Sequence, residues 1–174
     1  MTTPSEILQI RFIHILDRIT TGIICCSDIS EEKFEQLWFK TVDKFIDRTK
    51  SVGREPKQIT FDRKVTPFNL YNFLSEHRDY IIFFRPADAL AILKSAALIR
   101  ILEGAMCSSP DSSKRWKVSV NYKTPFSFTG SVIISIPAGE VNWDLKKYTY
   151  LKRDVVVQNL DEQARKLNLL KQDI

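Results

Sequence analysis

The chain has 174 residues, of which 44% are hydrophobic and 27% charged, and its formal net charge is +5. This composition excludes a disordered chain, and the length predicts one domain, residues 1–174, whose core needs no disulfide or metal to hold it. No apolar run approaches the ~20 residues that a membrane span needs, and the N-terminus lacks the basic start and apolar centre of a signal peptide. We therefore expect an intracellular protein that is not secreted.

Cysteine usage favours a reducing compartment, such as the cytoplasm or the interior of an organelle. Cys25 and Cys26 are adjacent and Cys107 stands alone, which is a poor framework for disulfides. Only His14 and His77 accompany them, and no spacing is typical of a zinc site. We expect buried, reduced thiols, no metal and no cofactor.

The N-terminal half predicts helices that alternate with strands. In chain order these elements are helix 5–20, strand 23–26, helix 31–48, strand 58–61, helix 67–76 and strand 80–84. The first helix, within residues 1–21, is expected to pack on the core. Ser30 is a predicted N-cap of the second helix, and Thr66 with Pro67 is the predicted start of the third.

The C-terminal half continues this alternation. It predicts one long helix 86–104, strands 116–120, 131–136 and 154–157, and a final helix 160–172 that Asn159 caps. The side chains predicted to face the core from these two helices are Leu90, Leu93, Ala97, Leu98, Leu102, Leu160, Ala164, Leu167 and Leu170. Strands that alternate with helices predict a three-layer α/β fold, with a mostly parallel central sheet and helices on both faces.

Residues 23–171 resemble, in their order of segments, the core of the AAA-plus ATPases and related P-loop helicases. In that family a strand leads into a phosphate-binding loop and its helix, and strand 23–26 and helix 31–48 take those places. A later strand carries magnesium-binding acids, as residues 80–84 would. Strand 131–136 resembles the one that ends in a polar sensor residue, and Arg153 resembles an arginine that reaches a neighbouring subunit. The resemblance implies a P-loop-like fold.

The phosphate loop of that family is missing. Such a loop needs glycines, whose N–H groups surround phosphate, and a lysine that neutralises it. The chain has no Gly-Lys dipeptide, and only residues 27–30 join the strand to the helix. Glu31 and Glu32 in the first helical turn already interact with the helix dipole and would repel an anion.

The other nucleotide-handling residues of that family are replaced as well. Arg85 and Pro86 follow strand 80–84 where the resemblance calls for acids, and Ile136 stands at the sensor position. One helix follows the last strand, so we expect no helical lid. No pattern of a catalytic triad occurs. These absences predict a protein without ATP hydrolysis that is not an enzyme.

Cations interleaved with aromatic residues are the remaining candidate contacts. The predicted protein contacts are Trp143, Tyr148, Tyr150, Lys146, Lys147, Lys152 and Arg153, and the predicted nucleic-acid contacts are Lys114, Arg115 and Lys117. The favoured hypothesis is a catalytically inactive structural or regulatory subunit that binds a protein partner or forms an oligomer. The alternative is a basic nucleic-acid-binding protein associated with replication. Two further interpretations remain open: a solvated surface without a partner, and an enzyme of unrecognised type.

Overall fold

The computed structural model describes residues 1–18, 22–53, 55–106, 123–137 and 155–172, with only the backbone for 155–158. The helices are α1 (Pro4–Leu16), α2 (Glu31–Thr49), α3 (Pro67–Glu76), α4 (Pro86–Leu93), α5 (Ala96–Met106) and α6 (Leu160–Gln172). The strands are β1 (Gly22–Ser27), β2 (Gln58–Thr60), β3 (Ile81–Phe84), β4 (Ser131–Pro137) and β5 (Val155–Asn159), and a turn of 3-10 helix covers Lys50–Val52. The predicted strand 116–120 lies outside the described residues.

The described strands form one five-stranded sheet in the order β2-β3-β4-β1-β5. Every neighbouring pair is parallel, so the carboxyl ends of all five strands lie at one edge of the sheet. β4 is inserted between β1 and β3, although it follows both along the chain. The prediction of a parallel central sheet is confirmed.

Two hydrophobic clusters cover the two faces of this sheet. Successive strand residues point to opposite faces, so Ile23 and Ile133 belong to one cluster and Ile24 and Ile134 to the other. The first cluster contains residues of α1, α2 and α6, and the second contains residues of α3, α4 and α5. The molecule is therefore a three-layer α/β fold with helices on both faces, as predicted.

The predicted helix caps are confirmed. The side chain of Ser30 accepts the N–H of Lys33 at 3.3 Å, and the side chain of Thr66 accepts the N–H of Asn69 at 3.1 Å. Asn159 Oδ1 likewise accepts a backbone N–H in the first turn of α6 at 3.0 Å. Each bond satisfies a donor that a helix N-terminus leaves without an intrahelical partner, which fixes where α2, α3 and α6 begin.

The prediction of one long helix over 86–104 is wrong. The chain leaves α4 at Lys94 and starts α5 at Ala96, because Ser95 acts as a new N-cap. Its backbone carbonyl accepts the N–H of Ile99 at 2.9 Å, and its hydroxyl accepts that of Leu98 at 3.4 Å. The break rotates the second helix, and Ala97, predicted to face the core, is exposed.

Both terminal helices also differ from the prediction. α1 ends at Leu16 rather than Thr20, because Arg18 adopts a left-handed backbone with φ of 58° that stops the helix. Leu8 and Phe12 are fully buried, so α1 packs on the core. In α6, Leu170 is 64% exposed instead of facing the core.

No helix in the described part of the chain is long and apolar enough to cross a membrane.

Candidate functional site

A cleft of 660 Å³ opens at the carboxyl edge of the sheet, between α2 and the ends of β2, β3 and β4. β1 continues into α2 on one face of the sheet, and β3 continues into α4 on the other. In open parallel sheets, ligands bind outside the carboxyl ends of strands where successive connections turn to opposite faces. The cleft therefore occupies the place at which this type of fold builds its binding site.

The backbone N–H groups that follow β1 are engaged within the protein. The N–H of Asp28 donates to the carboxylate of Asp161 in α6 at 3.1 Å. The N–H of Ile29 donates to the hydroxyl of Ser27 at 3.3 Å, and Ser30 caps the first turn of α2. A phosphate loop would direct such donors towards the ligand. Here side-chain oxygens already accept them.

One side of the cleft is the part of the sheet that lies towards its β2 edge. Thr60, Phe83, Ile133 and Ile23 lie side by side in register across β2, β3, β4 and β1. Ile23 and Ile133 are buried, Phe83 is half-buried and Thr60 is exposed. Burial thus falls from the centre of this face towards the β2 edge. At β3 the apolar surface remains partly accessible, because Phe83 is only half-buried.

Two aromatic residues of α2 form the opposite wall. Trp38 is buried, its ring meets that of Phe83 edge to face at 4.8 Å between centroids, and its indole N–H donates to Gln58 Oε1. This hydrogen bond joins α2 to the edge strand β2. The neighbouring Phe39 also lines the cleft and is 54% exposed. The cleft is thus lined by aromatic surface that is open to solvent.

The mouth of the cleft is acidic. Exposed Asp28, Glu31 and Glu35 line it, and Arg85 is the single cation among its described lining residues. Among the described residues there is no group of three or more His, Cys, Asp or Glu side chains that could hold a metal ion. This distribution of charge attracts a cation and disfavours a polyphosphate.

The polar side chain that β4 presents to the cleft is Ser135 rather than the predicted sensor position, Ile136. Ser135 lines the cleft and is half-buried, whereas Ile136 is fully buried in the cluster on the other face. Side chains alternate along a strand, so a shift of one residue changes the face. Ile136, the apolar residue at the predicted sensor position, therefore does not face the cleft, and the polar Ser135 does.

The two thiols of β1 are not suited to nucleophilic chemistry. Burial raises the pKa of Cys25 to about 12, and its thiol donates to the carbonyl of Ile134 at 3.4 Å. Burial, followed by the negative charges of Asp161 and Asp28, also raises the pKa of Cys26. A cysteine acts as a nucleophile through its thiolate, which both environments disfavour.

The side chains predicted as contacts all lie outside the described residues: Lys114, Arg115, Lys117, Trp143, Lys146, Lys147, Tyr148, Tyr150, Lys152 and Arg153. Residues 138–154 contain the predicted protein contacts, from Trp143 to Arg153. This segment follows directly on Pro137, a residue that lines the cleft.

The cleft itself was missed by the sequence analysis, although one signal was present. The apolar stripe of α2 includes Phe34, Trp38 and Phe45, all of them buried. Phe39 lies off this stripe, where a helix of a globular protein normally carries polar residues. An aromatic residue on the polar side of an amphipathic helix indicates a contact beyond the helix's own core.

Comparison with known proteins gives no match to a protein-family model, to a curated protein or to a solved structure.

Proposed function

We propose that this chain is a catalytically inactive, degenerate P-loop-like domain that serves as a structural or regulatory subunit of a larger assembly. The observation that carries the proposal is the hydrogen bond from the Asp28 N–H to the carboxylate of Asp161. At the position where a phosphate loop would hold an anion of the ligand, the protein supplies an anion of its own.

The layout of a nucleotide site supports the P-loop-like part of the proposal. The strands to which the resemblance assigns the phosphate loop, the sensor and the metal-binding acids are β1, β4 and β3, and these are neighbours in the sheet. Their carboxyl ends meet at one edge, as a single site requires. At that edge β3 leads into Arg85 and Pro86 instead of acids. A guanidinium repels magnesium, and proline has neither charge nor N–H.

A role in protein contacts is favoured by the residue types in residues 138–154 and by Phe39 at the cleft. Trp, Tyr and Arg are the residue types most enriched at the energetic centres of interfaces. Trp143, Tyr148, Tyr150 and Arg153 with Lys146, Lys147 and Lys152 supply them in residues 138–154, and Phe39 supplies a further exposed aromatic side chain at the cleft. The free, buried thiols of Cys25 and Cys26 support a reducing intracellular compartment as the place of this assembly.

A second candidate function, nucleic-acid binding, is favoured by a different surface. Lys123 Nζ lies 4.7 Å from the centre of the Phe68 ring, and the Arg78 guanidinium lies 4.9 Å from that of Phe126. Arg78 and Phe126 line a groove of 520 Å³, and Phe68 is 53% exposed. Lys123 directly follows residues 107–122, which contain Lys114, Arg115 and Lys117. A cation beside an accessible aromatic ring, as Lys123 is beside Phe68, suits a phosphate and a stacked base; Phe126 is buried, so at the groove the Arg78 guanidinium is the candidate phosphate contact.

The two candidates differ in their response to nuclease and salt. The tagged chain would be purified from its native source with and without nuclease and washed at moderate salt. A subunit retains a stoichiometric protein partner under both treatments, because apolar contacts at the centre of an interface resist salt. Charge reversal at Lys146 and Lys147 is expected to weaken this partner's retention, while reversal at Lys64, on the exposed surface near α3, is the matched control.

Loss of every protein partner on nuclease treatment, with recovery of DNA or RNA, would overturn the subunit proposal in favour of the second candidate. In that case the affinity must fall steeply as salt rises, because released counterions drive binding. Hydrolysis of magnesium-ATP by the purified chain, above the rate without protein, would overturn the inactive part of the proposal. We expect the purified chain not to hydrolyse magnesium-ATP. Titration calorimetry with magnesium-ATP is expected to show no heat of binding.

A further inference from the structure

We propose that the cleft between α2 and the carboxyl ends of β2 and β3 binds a segment of a partner protein that carries an aromatic or aliphatic side chain flanked by lysine or arginine. This inference rests on the proposed function as a subunit and specifies the chemistry of the partner at one site.

The apolar part of the segment is indicated by the lining of the cleft. Phe39 is 54% exposed, Phe83 is half-buried, and Pro86 and Pro137 contribute further half-buried apolar surface. The volume of 660 Å³ lies within the range of about 300–1,000 Å³ that binding clefts have. An aromatic or aliphatic side chain would displace water from both walls at once, and the area removed from water drives such binding.

The cationic part is indicated by charge complementarity. Asp28, Glu31 and Glu35 are exposed at the cleft, and no other described residue holds any of these three carboxylates in an ion pair. Among the described residues of the cleft these three carboxylates outnumber the one cation, Arg85. A lysine or arginine beside the apolar anchor therefore meets a net negative charge there. The same acids repel nucleotides and nucleic acids, which excludes phosphate-bearing ligands as the favoured occupant.

A protein segment fits this surface better than a small metabolite does. The cleft continues onto Phe39, which lies on the solvent side of α2, and onto Thr60 and Gln58 of the exposed edge strand. Apolar surface surrounded by a polar, charged rim is the usual anatomy of a protein interface. Aromatic anchors in such a centre carry most of the binding energy.

The experiment is a selection from a displayed library of random peptides against the folded full-length chain. We expect the enriched peptides to combine Trp, Phe or Leu with Lys or Arg. Selected peptides would be synthesised with a fluorescent label and their dissociation constants measured by polarisation. In ¹⁵N-labelled protein, the peptide is expected to shift the indole N–H signal of Trp38, which lies at the back of the cleft and donates to Gln58.

Matched variants locate the binding. Phe39→Ala is expected to weaken it about tenfold, since loss of an aromatic anchor typically costs more than 1 kcal/mol. Phe68→Ala removes an equally exposed phenylalanine outside the cleft and is expected to leave it unchanged. Glu31→Lys with Glu35→Lys is expected to weaken it about fivefold, more at low salt. Glu32→Lys reverses a charge in the same helical turn that does not line the cleft, and should change little.

Three outcomes would overturn the inference: a selection without binders, enriched peptides that lack cationic residues, and binding that Phe39→Ala leaves intact. Full competition by a single-stranded oligonucleotide would assign the cleft to nucleic acid and overturn it as well. Each of these results leaves the proposed function standing if a nuclease-resistant partner is still retained through residues 138–154. Conversely, a chain that binds the peptide and also hydrolyses magnesium-ATP would overturn the proposal that it is catalytically inactive. The assignment of the cleft to a peptide would then still hold.

Discussion

The N–H of Asp28, directly after β1, donates a hydrogen bond of 3.1 Å to the carboxylate of Asp161, 133 residues later in the first turn of α6. This bond ties the segment before α2 to the start of the last helix, at the carboxyl ends of the neighbouring strands β1 and β5. It also places a negative charge beside the loop that a phosphate would have to approach. One side chain thus links two distant segments and places a negative charge at the β1–α2 loop.

Removal of this carboxylate should destabilise the protein by a measurable amount. We expect Asp161→Ala to lower the free energy of unfolding by about 1 kcal/mol, because the Asp28 N–H loses a charged acceptor. Urea denaturation measures the change. Glu162→Ala is the control, since Glu162 lies in the same helical turn and its side chain makes an exposed pair with Lys166 in the described part of the chain. Asp161→Asn, which keeps an acceptor oxygen, should recover part of the loss. An equal effect of both alanine variants would assign the loss to the helix dipole instead.

The hydrogen bond between Trp38 and Gln58 leads to a second prediction. Trp38 is 2% exposed and lines the cleft, so removal of the exposed Gln58 side chain opens its indole N–H to water, which replaces the lost acceptor only in part. We expect Gln58→Ala to cost about 1 kcal/mol, as the loss of a typical hydrogen bond does. Gln58→Glu keeps an acceptor and should lose less. Thr60→Ala, at the other exposed position of β2, is the control; a similar loss there would point to strand propensity rather than the indole bond.

Two glycines should respond differently to alanine. A Cβ at Gly130 would lie 2.1 Å from the carbonyl oxygen of Tyr80 and 2.8 Å from the Phe128 ring, so Gly130→Ala must shift backbone. We expect a loss of about 2–3 kcal/mol. Gly53 has a φ of +64° and open space around it, so Gly53→Ala suffers backbone strain alone, about 1 kcal/mol. Thermal unfolding compares the two; an equal loss would contradict the close approach at Gly130.

Stability should fall at alkaline pH through Cys25. The pKa of its thiol is raised from an ordinary 9.0 to about 12, so the unfolded chain loses this proton before the folded protein does. Between about pH 9 and 12 the folded state binds the additional proton, and the free energy of unfolding falls with a slope of about 1.4 kcal/mol per pH unit from this group. Below pH 9 the contribution is complete.

The control for the pH experiment is Cys25→Ala, which is expected to unfold with a shallower slope in the same window. Alkylation provides an independent measurement. Cys25 should react with iodoacetamide only when the protein is unfolded. A slope that Cys25→Ala leaves unchanged would assign the alkaline loss to other groups.

The elements that the sequence determined are those whose signals are local. The apolar stripe of α2 and the cap at Ser30 predicted a helix over 31–48, and the structure has Glu31–Thr49. Thr66 and Pro67 predicted α3 within the bounds observed. Helix periodicity and capping bonds join residues three or four positions apart, so they can be recognised along the chain. The break at Ser95 was missed because apolar residues continue across it, and only the capping geometry shows it.

Tertiary structure alone decided the order of the strands and the cleft. The sequence predicted parallel strands with helices on both faces, but β4 could be placed between β1 and β3 only by packing contacts between distant residues. The walls of the cleft come from α2, β2, β3 and β4, and the charge that occupies the β1–α2 loop comes from α6. Local patterns fix which residues are helical or extended. The side chains that meet are chosen by burial over the whole chain, because hydrophobic packing depends on the total apolar area removed from water and not on distance along the sequence.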